Sequence, residues 1–129
     1  MVTERVLVST EQAPAAIGPY SQAITAGGLV FCSGQIPIDP ATGELCQGDV
    51  AAQTAQVLTN LAAVLDSAGS SLGAMVKTTI YLTDLGDYGA VNRVYGERVG
   101  SPPPARACVE VAALPKGAKV EIDAIAVCG

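Results

Sequence analysis

Three charged residues stand out in the last part of the chain, where small apolar residues alternate as they do in β-strands. Arg106 lies in ARACVEV, and Glu121 and Asp123 lie in KVEIDAIAV. Arginine offers a planar fork of donors that matches a carboxylate, and a nearby glutamate can orient or deprotonate a water molecule. If the two strands are antiparallel neighbours in a closing hairpin, Arg106 and Glu121 project from the same face. Together they would form a site for a small carboxylate whose adjacent carbon is attacked by water.

A cross-strand salt bridge is the alternative interpretation of Arg106 and Glu121. Such a pair on a sheet surface contributes ~0.2–1 kcal/mol and performs no chemistry. From the alternation pattern alone, the salt bridge is the favoured interpretation.

The absence of histidine limits the chemistry that the chain can perform. It excludes Ser-His-Asp and Cys-His catalysis and every zinc motif that includes histidine. Acid–base steps must then come from Asp, Glu, Tyr, Cys, Lys or bound water. We expect no metal and no organic cofactor, which agrees with the missing histidines.

The four cysteines, at positions 32, 46, 108 and 128, form no C-x-x-C pair. Because the start of the chain lacks the apolar segment of a signal peptide, we expect reduced thiols and a cytoplasmic protein. Cys108 has no activating histidine or helix N-terminus beside it, so we expect a packed and unreactive thiol.

Three further residues could belong to a site, although each has a simpler explanation. Tyr20 in IGPYSQA could supply a hydroxyl or could anchor its loop. Gly34 in CSGQ could let the backbone approach a ligand or could form a β-bulge. Asn92 could bind a ligand or could be an amide on a helix surface. The simpler explanation is favoured for all three on pattern alone.

Composition indicates a folded chain that forms one domain, residues 1–129. Half of the residues are hydrophobic and 15% are charged, with a net charge of −5. An acidic chain without a basic stripe is a poor candidate for binding nucleic acid. No run approaches the length of a membrane span, so we expect no membrane association.

The order of the predicted elements is β-β-β-α-β-α-β-β, an α+β fold with a mostly antiparallel sheet. The expected hairpin turn is Gly27–Gly28, and the first helix has Asp49 as its N-cap and Gly69 as its stop. Two helices can cover only one face of so large a sheet, so the other face meets solvent or another subunit. In the last two strands we expect the apolar sides under the helices, and the sides that carry Arg106 and Glu121 at a subunit interface.

Several segments in order along the chain resemble the Rid family, the reactive intermediate deaminases that are also called YjgF-like proteins. These segments are GPYSQA, VFCSGQIP, DVAAQTAQVLTNLAAVL, VKTTIYLTD, VNRVY and PARACVEVAALPKGAKVEI. The resemblance covers nearly the whole chain, and the arginine of PAR with the glutamate of VEI points to the enamine/imine deaminase branch.

The resemblance implies a chorismate-mutase-like subunit, a homotrimer with sites at the subunit interfaces, and hydrolysis of reactive 2-enamino and 2-imino acids to 2-keto acids and ammonia. It implies that Arg106 binds the substrate carboxylate and that Glu121 handles water. Further pocket positions are implied at Tyr20, Ser33, Gly34, Asn92 and Cys108.

With this resemblance, a functional Arg106 is favoured over a salt bridge. Two other functions remain open, namely a regulatory module that binds a small carboxylate without turnover and an RNA-cleaving or translation-inhibiting protein.

Overall fold

The computed structural model describes residues 4–129 and contains two helices and a six-stranded sheet. The strands are β1 (Val6–Val8), β2 (Ala23–Ala26), β3 (Leu29–Gln35), β4 (Met75–Leu82), β5 (Ala105–Glu110) and β6 (Val120–Val127), and the helices are α1 (Val50–Ser67) and α2 (Tyr88–Arg98). Their order along the chain confirms the predicted β-β-β-α-β-α-β-β pattern. Neither helix is long and apolar enough, within these residues, to cross a membrane.

The strands lie in the order β1-β2-β3-β6-β4-β5. Every neighbouring pair is antiparallel except β4 and β5, which run parallel and are joined through α2. A tight turn joins antiparallel strands, so a parallel pair needs a longer crossover connection such as α2. The predicted α+β class and mostly antiparallel sheet are confirmed.

The predicted hairpin turn and helix caps are also confirmed. Gly27 and Gly28 connect β2 to β3 with φ values of +59° and +79°, a conformation that favours glycine. The Asp49 side chain accepts a hydrogen bond of 2.9 Å from the Ala52 N–H at the start of α1. Gly69, with φ +75°, follows the end of this helix.

The core lies between the helices and one face of the sheet. Helix α1 packs on β3 and β6 through side chains that are fully buried, among them Val57, Leu58, Leu61 and Leu65. On β4, the alternation of MVKTTIYLT predicts Val76, Thr78, Ile80 and Leu82 on one face, and the last three do face this core. Val76 is exposed instead, because the pairing of β4 with β6 shifts register between Met75 and Lys77.

The predicted closing hairpin is wrong. Strands β5 and β6 are separated by β4, which pairs with β5 on one side and with β6 on the other. The nine residues 111–119 between the two strands span the end of β4 instead of forming a tight turn.

The predicted faces are right for β6 and reversed for β5. In β6, Val120, Ile122, Ala124 and Ala126 are buried under the helices, and Glu121 lies on the open face. In β5, Arg106 pairs with Thr78, which is buried under the helices, so the arginine projects to the helix-covered side. The small apolar residues Ala105, Ala107 and Val109 are the exposed ones.

Candidate active site

Arg106 lies on the edge strand β5, where its guanidinium group reaches helix α2. Its Nη1 donates to Asn92 Oδ1 at 2.7 Å, and its Nη2 donates to the Tyr88 hydroxyl at 2.8 Å. Tyr88 and Asn92 are four residues apart and therefore share one face of the helix. The two bonds fix the plane of the guanidinium, while its remaining N–H groups can bind a carboxylate.

Two aromatic rings also hold the guanidinium in place. The Arg106 Cζ atom lies 5.5 Å from the centre of the Tyr88 ring and 5.1 Å from the centre of the Tyr95 ring, within the range of a cation–π interaction. The Tyr95 hydroxyl is in turn 2.7 Å from Thr78 Oγ1 in the core. The cation is thus oriented by α2, and α2 is tied to β4 at the same point. We call Arg106, Tyr88, Asn92 and Tyr95 the cation half-site.

Cys108 lies on the same side of β5 as Arg106 and packs partly against the core. Burial raises the pKa of this thiol, and the nearby Arg106 charge offsets part of that effect. The thiol is therefore protonated at neutral pH, as expected for a packing residue. All four cysteines are free in the structure, and burial together with the Asp123 charge raises the pKa of Cys32 to about 12.

Glu121 lies on the opposite, open face of the sheet, beside Tyr81 of β4. Burial, and secondly the negative charge of Asp123, raise the pKa of the Glu121 carboxyl. Asp123 itself accepts a hydrogen bond of 2.9 Å from the Tyr81 hydroxyl. A carboxyl with a raised pKa is a stronger base than an exposed glutamate, which suits it to take a proton from water.

A cleft of about 330 Å³ opens beside Glu121. It is lined by Tyr20, Ser33, Gly34, Ile36, Pro115 and Glu121. A Cβ atom added to Gly34 would lie only 2.8 Å from Glu121 Cδ, so only glycine allows the carboxyl group to rest against β3. We call Tyr20, Ser33, Gly34 and Glu121 the carboxylate half-site.

The hydroxyl groups of the other two residues of this half-site bond to the backbone of the segment 17–21 that precedes β2. The Ser33 hydroxyl donates to the Ser21 carbonyl at 2.6 Å, and the Tyr20 hydroxyl accepts from the Ile17 N–H at 3.3 Å. Tyr20 remains 55% exposed, so its ring can contact a ligand in the cleft.

One chain does not bring the two half-sites together. Arg106 and Glu121 were expected on one face of a hairpin, but β4 lies between their strands and the two side chains leave opposite faces of the sheet. The same placement rules out the cross-strand salt bridge. The residues named from the sequence thus fall into two groups, with Arg106, Asn92 and Cys108 in one and Tyr20, Ser33, Gly34 and Glu121 in the other.

Four residues that surround these groups received no site role from the sequence, although Asp123 was noted for its charge. Tyr88 and Tyr95 bracket Asn92 on one helical face, so the spacing of the motif YGAVNRVY could have identified them. Tyr81 and Asp123 meet only through the pairing of β4 with β6, a register that the sequence does not display. In residues 4–129, no three His, Cys, Asp or Glu side chains lie close enough to hold a metal ion.

Comparison with known proteins identifies relatives along almost the whole chain. The family model described as Endoribonuclease L-PSP matches residues 10–128. A Myxococcus xanthus protein named Protein DfrA is 58% identical over 125 residues, which is 95% of each chain. The 2-iminobutanoate/2-iminopropanoate deaminase of Bos taurus is 50% identical over 125 residues, covering 97% of this chain and 91% of the bovine one.

The fold agrees with solved structures of the same group. The crystal structure of RidA from the Antarctic bacterium Psychrobacter sp. PAMC 21119 superposes with a TM-score of 0.91 at 47% identity, covering 95% of this chain and 98% of that one. The resemblance drawn from the sequence motifs is thereby confirmed, and the chain belongs to the Rid (YjgF-like) family, whose model carries the description Endoribonuclease L-PSP.

Proposed function

We propose that this chain hydrolyses 2-imino acids, and the 2-enamino acids that tautomerise to them, to 2-keto acids and ammonia. The observation that supports this most is the pair of half-sites, an oriented arginine for a carboxylate and a glutamate of raised pKa beside a small cleft. The name of the Bos taurus relative, 2-iminobutanoate/2-iminopropanoate deaminase, points to the same reaction. The role that follows from this reaction is the removal of reactive 2-imino and 2-enamino acids.

The proposed reaction begins with binding. Arg106 binds the substrate carboxylate through two N–H groups, while Asn92 and Tyr88 keep the guanidinium in plane. Cys108 lines this part of the pocket as an apolar side chain. Tyr20, Ser33 and Gly34 enclose the other end of the substrate, beside Glu121. The imine carbon is thereby held next to a water molecule, which is the main requirement for a reaction whose uncatalysed rate is already high.

The chemistry then needs one water and one proton carrier. Glu121 takes a proton from water as the oxygen adds to the imine carbon, and passes that proton to the imine nitrogen to give a carbinolamine. As the carbinolamine collapses, Glu121 takes the hydroxyl proton and passes it to the nitrogen, so the C–N bond breaks, the former water oxygen becomes the carbonyl and ammonia leaves. The products are a 2-keto acid and ammonia, with no net change in the enzyme.

We further propose that each complete site forms between two copies of the chain, in a closed homotrimer. The two half-sites of one chain lie on opposite faces of the sheet, so Arg106 of one copy must meet Glu121 of another. The open face also exposes apolar side chains that a partner would cover, namely Leu7, Phe31, Val109 and Val127. In a cyclic assembly, the Arg106 of every copy can meet the Glu121 of a neighbouring copy, so no half-site is left incomplete.

Mixing two inactive variants tests both proposals. The Arg106→Ala and Glu121→Gln variants are produced separately, and also together in one cell. For each preparation, the rate of 2-iminopropanoate hydrolysis and the molecular mass of the protein in solution are measured. Random assembly of a ring leaves about a quarter of the interfacial sites with both native residues, so co-production restores about a quarter of the parental activity. Activity that stays at the level of the separate variants contradicts an interfacial site, and a stable monomer contradicts the trimer.

RNA cleavage is the second candidate, because the family model carries the description Endoribonuclease L-PSP. The net charge of −5 opposes binding to a phosphate backbone. Incubating the parental protein and the Glu121→Gln variant with labelled RNA separates the two functions. Cleavage that depends on Glu121, without any acceleration of imine decay, would favour the nuclease.

A further inference from the structure

A second, larger cleft continues from the carboxylate half-site. It has a volume of about 460 Å³ and shares Tyr20, Gly34, Ile36 and Pro115 with the cleft beside Glu121. Beyond these residues it extends between Pro14, Ile17 and Ile38. The two clefts therefore adjoin along these four residues. We call this larger cleft the side-chain groove.

One wall of the side-chain groove is fixed by the buried amide of Gln22. Its Oε1 accepts from the Thr10 N–H at 2.7 Å, and its Nε2 donates to the carbonyls of Thr10, Ala13 and Pro14 at 3.0, 3.3 and 2.8 Å. These bonds hold the 10–14 segment in place. They also use the polar atoms of Gln22, so this amide offers no free group to the groove, which Gln35 also lines.

The opposite wall is fixed by Asn60 of α1. Its Nδ2 donates to the carbonyls of Ile36 and Ile38 at 3.3 and 2.9 Å, and its Oδ1 accepts from Gln56 Nε2 at 2.9 Å. Asn60 is completely buried, so this wall is anchored to the core. Because both walls are preformed, a ligand would gain contact there with little ordering cost.

Resting on the proposed function, we propose that the side-chain groove receives the side chain of the 2-imino acid, and that the preferred substrates carry a long or branched aliphatic side chain. Arg106 of one copy and Glu121 of another fix the carboxylate and the imine carbon, so the remaining substituent of that carbon extends into the adjoining space. Ile17, Ile36 and Ile38 make that space apolar. Lys116 at its rim places a positive charge against cationic side chains.

The size of the preference follows from the area that is buried. Each buried methylene gives about a fourfold gain, and 2-imino-4-methylpentanoate has three more carbons than 2-iminopropanoate. Since the groove is partly open, we expect kcat/KM to be on the order of tenfold higher for the longer substrate.

The test measures kcat/KM for 2-iminopropanoate and 2-imino-4-methylpentanoate, generated in the assay by an amino-acid oxidase, with an imine carrying a lysine-like side chain as a third substrate. The expected order places the branched substrate first and the cationic one last. Isothermal titration with 4-methyl-2-oxopentanoate and pyruvate should give the same preference in Kd, independently of turnover.

The Ile17→Asp variant tests whether the preference for the branched substrate arises in the side-chain groove. Ile17 is 81% exposed, so the substitution does not disturb folding, but it places a carboxylate on the apolar wall. The ratio of kcat/KM for the branched substrate over 2-iminopropanoate should fall severalfold. Val6→Ala changes an exposed aliphatic side chain on β1 and should leave the ratio at its parental value.

The outcomes separate the two proposals. Hydrolysis of 2-iminopropanoate without any preference for the branched substrate, or a preference that Ile17→Asp does not alter, overturns the side-chain groove and leaves the deaminase intact. Failure to accelerate the decay of any imine overturns the proposed function and this inference with it.

Discussion

The two half-sites are built in different ways. The cation half-site is held by direct bonds, since Arg106 donates to two side chains of α2 and lies over two tyrosine rings. The carboxylate half-site is held by close packing, since Glu121 rests on Gly34 and its pKa is raised by burial and by Asp123. Binding a carboxylate requires a fixed donor geometry, whereas moving a proton requires a suitable pKa. Each half-site has the construction that its proposed role needs.

Removal of the cation should have the largest effect. Arg106→Ala loses a charge-assisted, two-pronged interaction of ~1.5–3 kcal/mol, so kcat/KM for 2-iminopropanoate should fall ten- to a hundredfold. Arg106→Lys should recover only part of this loss, because an ammonium group cannot form the planar fork.

The matched control for these two variants is Arg98→Ala, which removes a half-buried arginine at the end of α2 whose Nη1 donates to Thr59 Oγ1 of α1 at 3.4 Å. It should leave kcat/KM unchanged. A trimeric Arg106→Ala protein that works at the parental rate would contradict the proposed binding site, because the cation would then play no part in catalysis.

Removing one hydrogen bond that orients Arg106, while keeping Arg106 itself, should have a smaller effect on kcat/KM. Tyr88→Phe deletes the hydroxyl that accepts from Arg106 Nη2 but keeps the ring, so we expect a loss of about two- to tenfold. The loss should appear mainly in KM, since Tyr88 orients a binding group. A comparable fall in kcat with unchanged KM would show that the hydroxyl acts on the reaction itself.

A change in the carboxylate half-site should alter the pH dependence of kcat/KM. Glu121 is proposed to act as a carboxylate, so kcat/KM should fall as the pH drops through its raised pKa, above the ordinary value of 4.5. Asp123→Asn removes the nearby negative charge and lowers the Glu121 pKa, which should move this acid limb to lower pH. The full pH profiles of both proteins provide the measurement, and an acid limb that stays in place or moves upward would contradict this arrangement.

The smallest effect is expected at Cys108. Its thiol has a raised pKa and packs beside Arg106, so Cys108→Ala should keep kcat within a few-fold of the parental value. Modification of the parental protein with a thiol reagent offers a second measurement. A large loss confined to Cys108→Ala, in a protein that assembles normally, would show that the sulfur takes part in the chemistry.

The sequence was sufficient to predict the elements and their order. The change from strand to helical spacing, the Asp49 cap and the two glycines of the first hairpin are local signals, and local interactions produce them. It was not sufficient for the faces of β5, because alternation reveals two faces of a strand but not which one is buried. In β5 both faces contain small residues, and the long, amphipathic Arg106 can lie against α2 as well as in water.

The pairing of the last strands was misjudged for a related reason. Consecutive strands are often neighbours, so a hairpin was the natural expectation. The helix between β4 and β5 was the contrary signal, since a crossover helix favours a parallel pair and leaves the other edge of β4 for β6. The individual site residues could be named from motifs, but their division between two faces depended on this long-range pairing.

The contact between Gly34 and Glu121 has a consequence for how such a protein could change its role. The atoms that a new Cβ would meet belong to the end of a flexible side chain, so Gly34→Ala should fold and displace only the carboxyl group. Arg106 and its tyrosines would remain as they are. Under the proposed function, one added methyl group would convert the hydrolase into a receptor that holds a keto acid without consuming anything, which is a short evolutionary path to sensing.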